Sequence, residues 1–141
     1  ISTKQGNLFA PSIGLGICIG RVGCFCQGCC FGVTTNQHWG VDFGDGLLRH
    51  PTQLYESGFG LILFAYAIYA NRHNPNPGAV FKNVLTAYFI YRFLIEFIKY
   101  EPIHWFGFTV FQYLIGLFLI NLYRSQILQF AKIHFKRVRF N

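Results

Sequence analysis

An arginine and a group of cysteines stand close together in an apolar part of the sequence. The stretch Gly20–Gly32 contains Arg21, followed by Cys24, Cys26, Cys29 and Cys30. A charge inside an apolar segment is expensive to bury and usually serves a function. A guanidinium offers planar, permanently charged donors that suit phosphate. The stretch therefore predicts the floor of an anion site that faces lipid, with an arginine that merely reaches the membrane interface as the alternative.

A second arginine lies in a later apolar segment, four residues before a glutamate. The spacing of Arg92 and Glu96 places them on one helix face, with Tyr88 one turn earlier. In one interpretation Glu96 orients Arg92, or bridges it to Arg21, so that the guanidinium groups face a polar cavity. The alternative is an ion pair that only holds helices together.

The segment His50–Glu56, with the sequence HPTQLYE, adds further polar groups. Pro51 suits the first turn of a helix, which places His50 just outside the helix start and Gln53 and Glu56 within its first turns. We expect these side chains to line the same cavity as Arg21. A cluster that only caps the helix is the alternative.

The cysteines support several interpretations. Zinc sites usually draw ligands from two separated pairs, and the sequence contains no second pair, so it predicts no metal site and no cofactor. A disulfide, a catalytic cysteine and small residues at a tight helix interface all remain open. Five cysteines leave at least one thiol unpaired in a monomer.

The composition indicates the elements that position these groups. The 141 residues are 52% hydrophobic and 12% charged, about half the usual charged fraction. This predicts an all-α, polytopic membrane helical bundle. About four transmembrane helices are expected, at residues 8–28, 53–70, 80–100 and 106–123. The net charge of +7 comes from residues near the segment ends, so we expect contact with the lipid bilayer and no nucleic-acid binding.

The distribution of charge also predicts an orientation. Lys4, the loop Asn71–Gly78 and the tail Lys132–Arg139 are basic, and four spans place them on one side. The positive-inside rule assigns that side to the cytoplasm and Thr34–Arg49 to the outside. We expect residues 1–126 to form the transmembrane domain and 127–141 a basic cytoplasmic tail. Because the sequence begins with Ile and lacks Met, we expect it to be part of a longer bundle.

Three motifs together resemble one family. Gly-Arg-x-Gly at Gly20–Gly23, HPTQLYE at His50–Glu56 and Arg-x-x-x-Glu at Arg92–Glu96 resemble, in this order, the prolipoprotein diacylglyceryl transferases. The resemblance covers about two-thirds of the chain. It implies a multi-pass enzyme of the bacterial plasma membrane whose active site lies toward the outer side. Such an enzyme moves the diacylglyceryl group of phosphatidylglycerol to the lipobox cysteine of a prolipoprotein.

With this resemblance, the sequence predicts a full set of site residues. The predicted catalytic residues are Arg21, Arg92, Glu96 and His50. The predicted substrate-binding residues are Arg21, Gln27, Gln53, Tyr55, Glu56, Tyr88 and Arg92. Two departures stand out: Cys24 and Gln27 replace the asparagines of the usual signature, and the His-Gly-Gly stretch of the family is expected upstream of Ile1. The alternative is a non-transferase membrane protein of the same fold that uses its cysteines for redox chemistry or metal binding.

Overall fold

The computed structural model describes residues 3–73, 76–99 and 108–138, and the described chain is mostly helical. The helices are α1 (Thr3–Cys26), α2 (Thr52–His73), α3 (Ala79–Ile95) and α4 (Val110–Val138). Two short strands, β1 (Val41–Asp42) and β2 (Leu48–Arg49), pair antiparallel between α1 and α2. The mostly helical structure confirms the predicted all-α class, apart from this short strand pair.

Helices α1 and α2 pack with their backbones in contact. A Cβ atom added to Gly14 would lie 2.5 Å from the backbone nitrogen of Phe64, and one added to Gly60 would lie 2.9 Å from that of Cys18. Small residues at such positions allow close helix approach without a large apolar core. The buried apolar cluster beside this crossing is accordingly built mostly from small side chains, namely Ala10, Leu63, Ala67, Ala70, Val80 and Val84.

A glycine turn ends α1. The N–H of Cys29 donates to the carbonyl of Cys24 at 3.2 Å, and the N–H of Gly28 donates to Phe25 at 3.0 Å. This pair of bonds is the Schellman arrangement, in which the residue after the helix adopts a left-handed conformation. Gly28 has φ +64° and suits that position, and Cys30 has φ +63°. The turn directs the chain away from the helix axis directly before the strand segments.

A narrow strip of extended backbone links this turn to the end of α3. The N–H of Val33 donates to the carbonyl of Ile98 at 2.9 Å, and the N–H of His50 donates to Val33 at 3.1 Å. Gly32 is required here, because a Cβ atom would lie 2.8 Å from the carbonyl oxygen of Ile98. The strip draws the segment after α3 toward the start of α2.

The helix bounds differ from the predicted spans. Helix α3 ends at Ile95, five residues before the predicted end, because residues 98 and 99 pair with the strip. Helix α4 begins later and extends to Val138. At its start, the N–H of Thr109 donates to Gln112 Oε1 at 2.8 Å, and Thr109 Oγ1 accepts from the N–H of Gln112, which is a capping box.

Among the described residues, Gly6–Cys26 is long and apolar enough to cross a membrane, with a mean hydropathy of 1.6. Val110–Arg124 is a shorter apolar helix. Helix α3, with 17 residues, is about 26 Å long at 1.5 Å per residue, which is less than the thickness of a typical hydrocarbon core. The arrangement with four spans stays a prediction.

The chain divides into two compact units, residues 1–102 and 103–141. The first contains α1, α2, α3 and the strip, and the second contains α4. The predicted boundary after residue 126 falls inside α4, and the assignment of a cytoplasmic tail beyond it stays a prediction.

Candidate active site

A buried carboxylate in the second turn of α2 joins two cations. Glu56 Oε2 lies 2.7 Å from Arg21 Nη2, and Oε1 lies 3.8 Å from Lys99 Nζ. The Glu56 side chain has no exposed surface, whereas 18% of the Arg21 side chain is exposed. Arg21 comes from the last third of α1 and Lys99 from the segment after α3. This contact therefore connects three parts of the first unit.

A second ion pair lies on α3 and the turn after it. Arg92 Nη1 lies 2.5 Å from Glu96 Oε2, and the Glu96 side chain is fully buried. Lys99 interacts electrostatically with both arginines and both glutamates, so the five groups form one ionic cluster. Three cations and two carboxylates leave the ionic cluster with a net charge of +1 when all are ionised. Such a cluster favours the binding of an anion.

Aromatic side chains line this region. The ring of Tyr91 stacks on Phe59 with a centroid separation of 4.0 Å, and Tyr91 interacts electrostatically with Glu56 and Arg21. Tyr88 also interacts with Arg21, so this predicted site residue lies beside the ionic cluster. Tyr88 and Tyr91 therefore lie near Arg21 in the ionic cluster.

The predicted base candidate stands at the edge of the strip. His50 Nδ1 lies 3.2 Å from Tyr55 Oη, while its backbone N–H and carbonyl belong to the strip. The described side-chain contact of His50 is thus with Tyr55. The structure brings the predicted residues His50 and Tyr55 together through this contact.

The two predicted glutamine sites differ in their surroundings. Gln53 is fully buried, and its Nε2 donates to the carbonyl of Cys29 at 2.6 Å. Its Oε1 is buried without a hydrogen-bond partner among the described residues, which leaves an acceptor for a hydroxyl. Gln27 is exposed just beyond the end of α1. The structure therefore brings Gln53 into contact with Cys29 in the turn after α1, while Gln27 is exposed to its surroundings.

Three of the five cysteines converge on the turn after α1. The sulfur atoms of Cys24, Cys29 and Cys30 all lie within 4.8 Å of one another, and all five cysteines are free thiols. Cys26 lies on the same turn outside this group. Cys18 faces α2, where its sulfur lies 3.3 Å from Ser57 Oγ. The spacing argument for separated ligand pairs did not anticipate this convergence.

The loop between the strands is held by an arginine. Arg49 Nε donates to Asp45 Oδ2 at 2.6 Å, and the Arg49 guanidinium lies over the ring of Phe31 at 4.9 Å from its centroid. The hydrogen bond from Arg49 lowers the pKa of the exposed Asp45 carboxyl from its usual value. Through Arg49, these contacts join the loop to Phe31, the residue after Cys30.

Sequence reasoning found most of the ionic cluster and missed one member. The expected contact between Glu96 and Arg92 is present, but the carboxylate that meets Arg21 is Glu56. Lys99 was not predicted as a site residue. It lies three residues after Glu96 and seven after Arg92, which is one helix face, and it is a charge in an apolar segment. Those two signals were available in the sequence.

The comparison with known families gives a clear result. The sequence model of the prolipoprotein diacylglyceryl transferases matches residues 3–133 of this chain. The chain belongs to the prolipoprotein diacylglyceryl transferase family. The ionic cluster and the cysteine turn thus occupy the matched part of the chain.

Individual relatives agree with this assignment. A phosphatidylglycerol–prolipoprotein diacylglyceryl transferase of Clostridium tetani is 31% identical over 86% of this chain and 54% of its own length. Proteins of the same name from Wolbachia pipientis and Bordetella parapertussis are 36% and 40% identical over 90% and 72% of the chain. The chain spans about half the length of these curated relatives or less. No solved structure matches it.

Proposed function

We propose that the protein containing this chain transfers the diacylglyceryl group of phosphatidylglycerol to the lipobox cysteine of a prolipoprotein. The ionic cluster is the observation that carries the proposal. Its net positive charge lies at the positions that the family motifs single out, Arg21 and Arg92. The names of the relatives favour this transferase reading over a non-transferase protein of the same fold.

The geometry of the ion pairs suits a phosphate. Each buried carboxylate binds one side of a guanidinium, while 18% of the Arg21 side chain and 11% of the Arg92 side chain stay exposed. Guanidinium groups donate to phosphate oxygens as a fork. Glu56 and Glu96 fix the orientation of these forks before substrate binds. The substrate phosphate is the anion that the cluster accommodates.

The reaction replaces one bond at the diacylglyceryl carbon that carries the phosphate. The bond from this carbon to the phosphate oxygen breaks, and a bond to the acceptor sulfur forms. The thiol proton passes to a base, and glycerol phosphate leaves with the bonding electrons. Arg21 and Arg92 stabilise the charge that develops on the leaving phosphate. In the described part of the chain His50 is the candidate base, since Tyr55 orients its ring.

The surroundings of the site support a location in the bacterial plasma membrane. Large apolar side chains on α1 and α2 point outward, with Leu8 73% exposed, Ile19 63% and Ile62 64%, while Glu56 and Glu96 are buried. This distribution is the reverse of that in a water-soluble domain and suits lipid around the helices. In the proposed orientation the site opens toward the outer side.

Replacing Arg92 by Ala tests the proposal. We expect Arg92→Ala in the full-length protein to lower transfer by about 10²–10³-fold, the usual effect of removing one donor to a developing oxyanion. The measurement is mass spectrometry of a lipobox peptide incubated with phosphatidylglycerol vesicles, which detects the diacylglyceryl thioether. Arg72→Ala is the control, because Arg72 is an exposed arginine at the end of α2.

Two outcomes would contradict the proposal. An unmodified full-length protein that forms no thioether product excludes the reaction. A fully active Arg92→Ala variant excludes the role of Arg92 in holding phosphate while leaving the reaction itself intact. Thermal unfolding in detergent shows whether each variant is folded.

A further inference from the structure

The convergence of three thiols on one turn is not required by the proposed transfer reaction. Cys24 closes the last turn of α1, and Cys29 and Cys30 follow the left-handed Gly28. Their sulfurs lie within 4.8 Å of one another and are partly or fully exposed. They share an accessible face just beyond the helix end.

These separations are close to those around a single metal ion. Two sulfurs bound to one ion at about 2.3 Å lie roughly 3.8 Å apart in a tetrahedron and about 4.0 Å apart in a trigonal plane. Movements of less than about 1 Å would bring the three sulfurs to such distances, and rotation about the Cα–Cβ bonds is enough. Thiolates select soft ions such as Cu(I) and Zn(II) over hard ones.

Two side chains of α2 hold the backbone of the turn that carries the thiols. Gln53 Nε2 donates to the carbonyl of Cys29 at 2.6 Å, and Thr52 Oγ1 donates to that of Cys30 at 2.9 Å. Both donors are fully buried. A backbone fixed in this way keeps the three sulfurs together without a bound ion, so little ordering cost remains for binding.

The charge around the thiols also suits a metal thiolate. Arg21 interacts electrostatically with Cys24 and Cys30, so it opposes the negative charge of a centre with three thiolates.

We propose that Cys24, Cys29 and Cys30 form a binding site for one soft d¹⁰ metal ion, either Cu(I) or Zn(II), held by three thiolates. Binding releases up to three protons to solvent and involves no change of oxidation state. In the described residues the group provides three protein ligands. Three thiolates complete the coordination of Cu(I) in a trigonal plane, whereas Zn(II) takes a water or another donor as its fourth ligand. The metal ligands are not residues of the proposed transfer reaction, although Arg21 interacts with Cys24 and Cys30 as well.

Metal titration of the full-length protein in detergent tests the site. The reduced protein is titrated with Zn(II), and separately with Cu(I) without oxygen, each against a competing chelator. We expect one ion per chain for at least one metal, with binding that strengthens as pH rises because protons are displaced. Each of Cys24→Ser, Cys29→Ser and Cys30→Ser should weaken binding by at least about 100-fold, since a hydroxyl is not a soft ligand.

Cys26→Ser is the matched control. Cys26 is exposed on the same turn but lies outside the thiol group, so its replacement should leave affinity unchanged. Equal losses in Cys26→Ser and Cys29→Ser would show nonspecific thiol binding and overturn the proposal. So would a reduced protein that takes up neither metal at one ion per chain. Transfer activity plays no part in either readout.

Discussion

The two carboxylates of the ionic cluster have surroundings unlike that of the loop carboxylate. The Glu56 and Glu96 side chains are fully buried against cations, whereas 38% of the Asp45 side chain is exposed beside Arg49. A buried charge depends on its partner, because water cannot replace the interaction. The Arg49–Asp45 pair depends less on its partner, because water reaches its partly exposed carboxylate.

The contrast leads to a prediction about stability. Glu56→Gln leaves Arg21 and Lys99 facing a neutral amide, so we expect the free energy of unfolding to fall by on the order of 3 kcal/mol. Asp45→Asn makes the same chemical change where the carboxylate is partly exposed, so we expect a smaller effect. Thermal unfolding of both variants in the same detergent provides the measurement. Equal midpoints for the two variants would contradict the assigned role of Glu56.

Residue types and spacing were enough to predict most of the ionic cluster. Arg21, Arg92 and Glu96 are charges in apolar segments, and helical spacing alone joins Arg92 to Glu96. The contact between Glu56 and Arg21 joins different helices, so helical spacing could not establish it. The three thiols were also beyond reach, because their convergence depends on the left-handed turn at Gly28.

At the level of helices, the close crossing of α1 and α2 depends on glycine residues, which have no side chain to keep the backbones apart. Gly14 lies against the backbone of Phe64, whereas Gly16, two residues later on α1, has no atom within 4 Å of a Cβ position. The two glycines share a helix and differ in whether a methyl group fits. Replacing each of them by alanine therefore distinguishes the effect of helix propensity from the effect of helix packing.

Alanine at these two positions should have opposite effects. Gly14→Ala places a methyl group against the α2 backbone, and we expect it to destabilise the protein by about 1–3 kcal/mol. Gly16→Ala should stabilise it by roughly 0.5–1 kcal/mol, because alanine loses less backbone entropy in a helix. Unfolding midpoints of the purified variants measure both changes. A tolerated Gly14→Ala would refute the close crossing.

Hydrophobic runs indicated the approximate positions of the four described helices, but the helix ends followed other rules. Pro51 indicated the start of α2, which begins one residue later at Thr52. The early end of α3 follows from backbone pairing with residues 32 and 33, which are distant in sequence. Such pairing leaves no local signal, so the composition suggested a longer helix.

At the scale of the whole molecule, the proposed topology rests on the distribution of charge. In the predicted bundle with four spans, the loop that contains Asp42 and Asp45 lies on the opposite side from the basic turn that follows α2 at Arg72. Basic residues near helix ends favour the cytoplasmic side. The apolar surfaces of α1 and α2 are compatible with this placement.

Reporter insertions test the orientation. We expect a phosphatase that works only outside the cytoplasm to be active when inserted between Asp45 and Gly46 of the full-length protein. The same enzyme should be inactive when inserted between Asn76 and Pro77, because the basic residues around that turn hold it inside. Phosphatase activity in intact cells is the measurement. Matching activity at both positions would refute the topology.

The contact between Arg21 and Glu56 also has a consequence for depth. Sliding α1 by one helical turn against α2 would move Arg21 by about 5.4 Å and break a contact of 2.7 Å. The ion pair therefore fixes the position of α1 along its axis relative to α2. In the proposed function, the height of Arg21 in turn decides how far a lipid headgroup must descend from the membrane surface before its phosphate meets a positive charge.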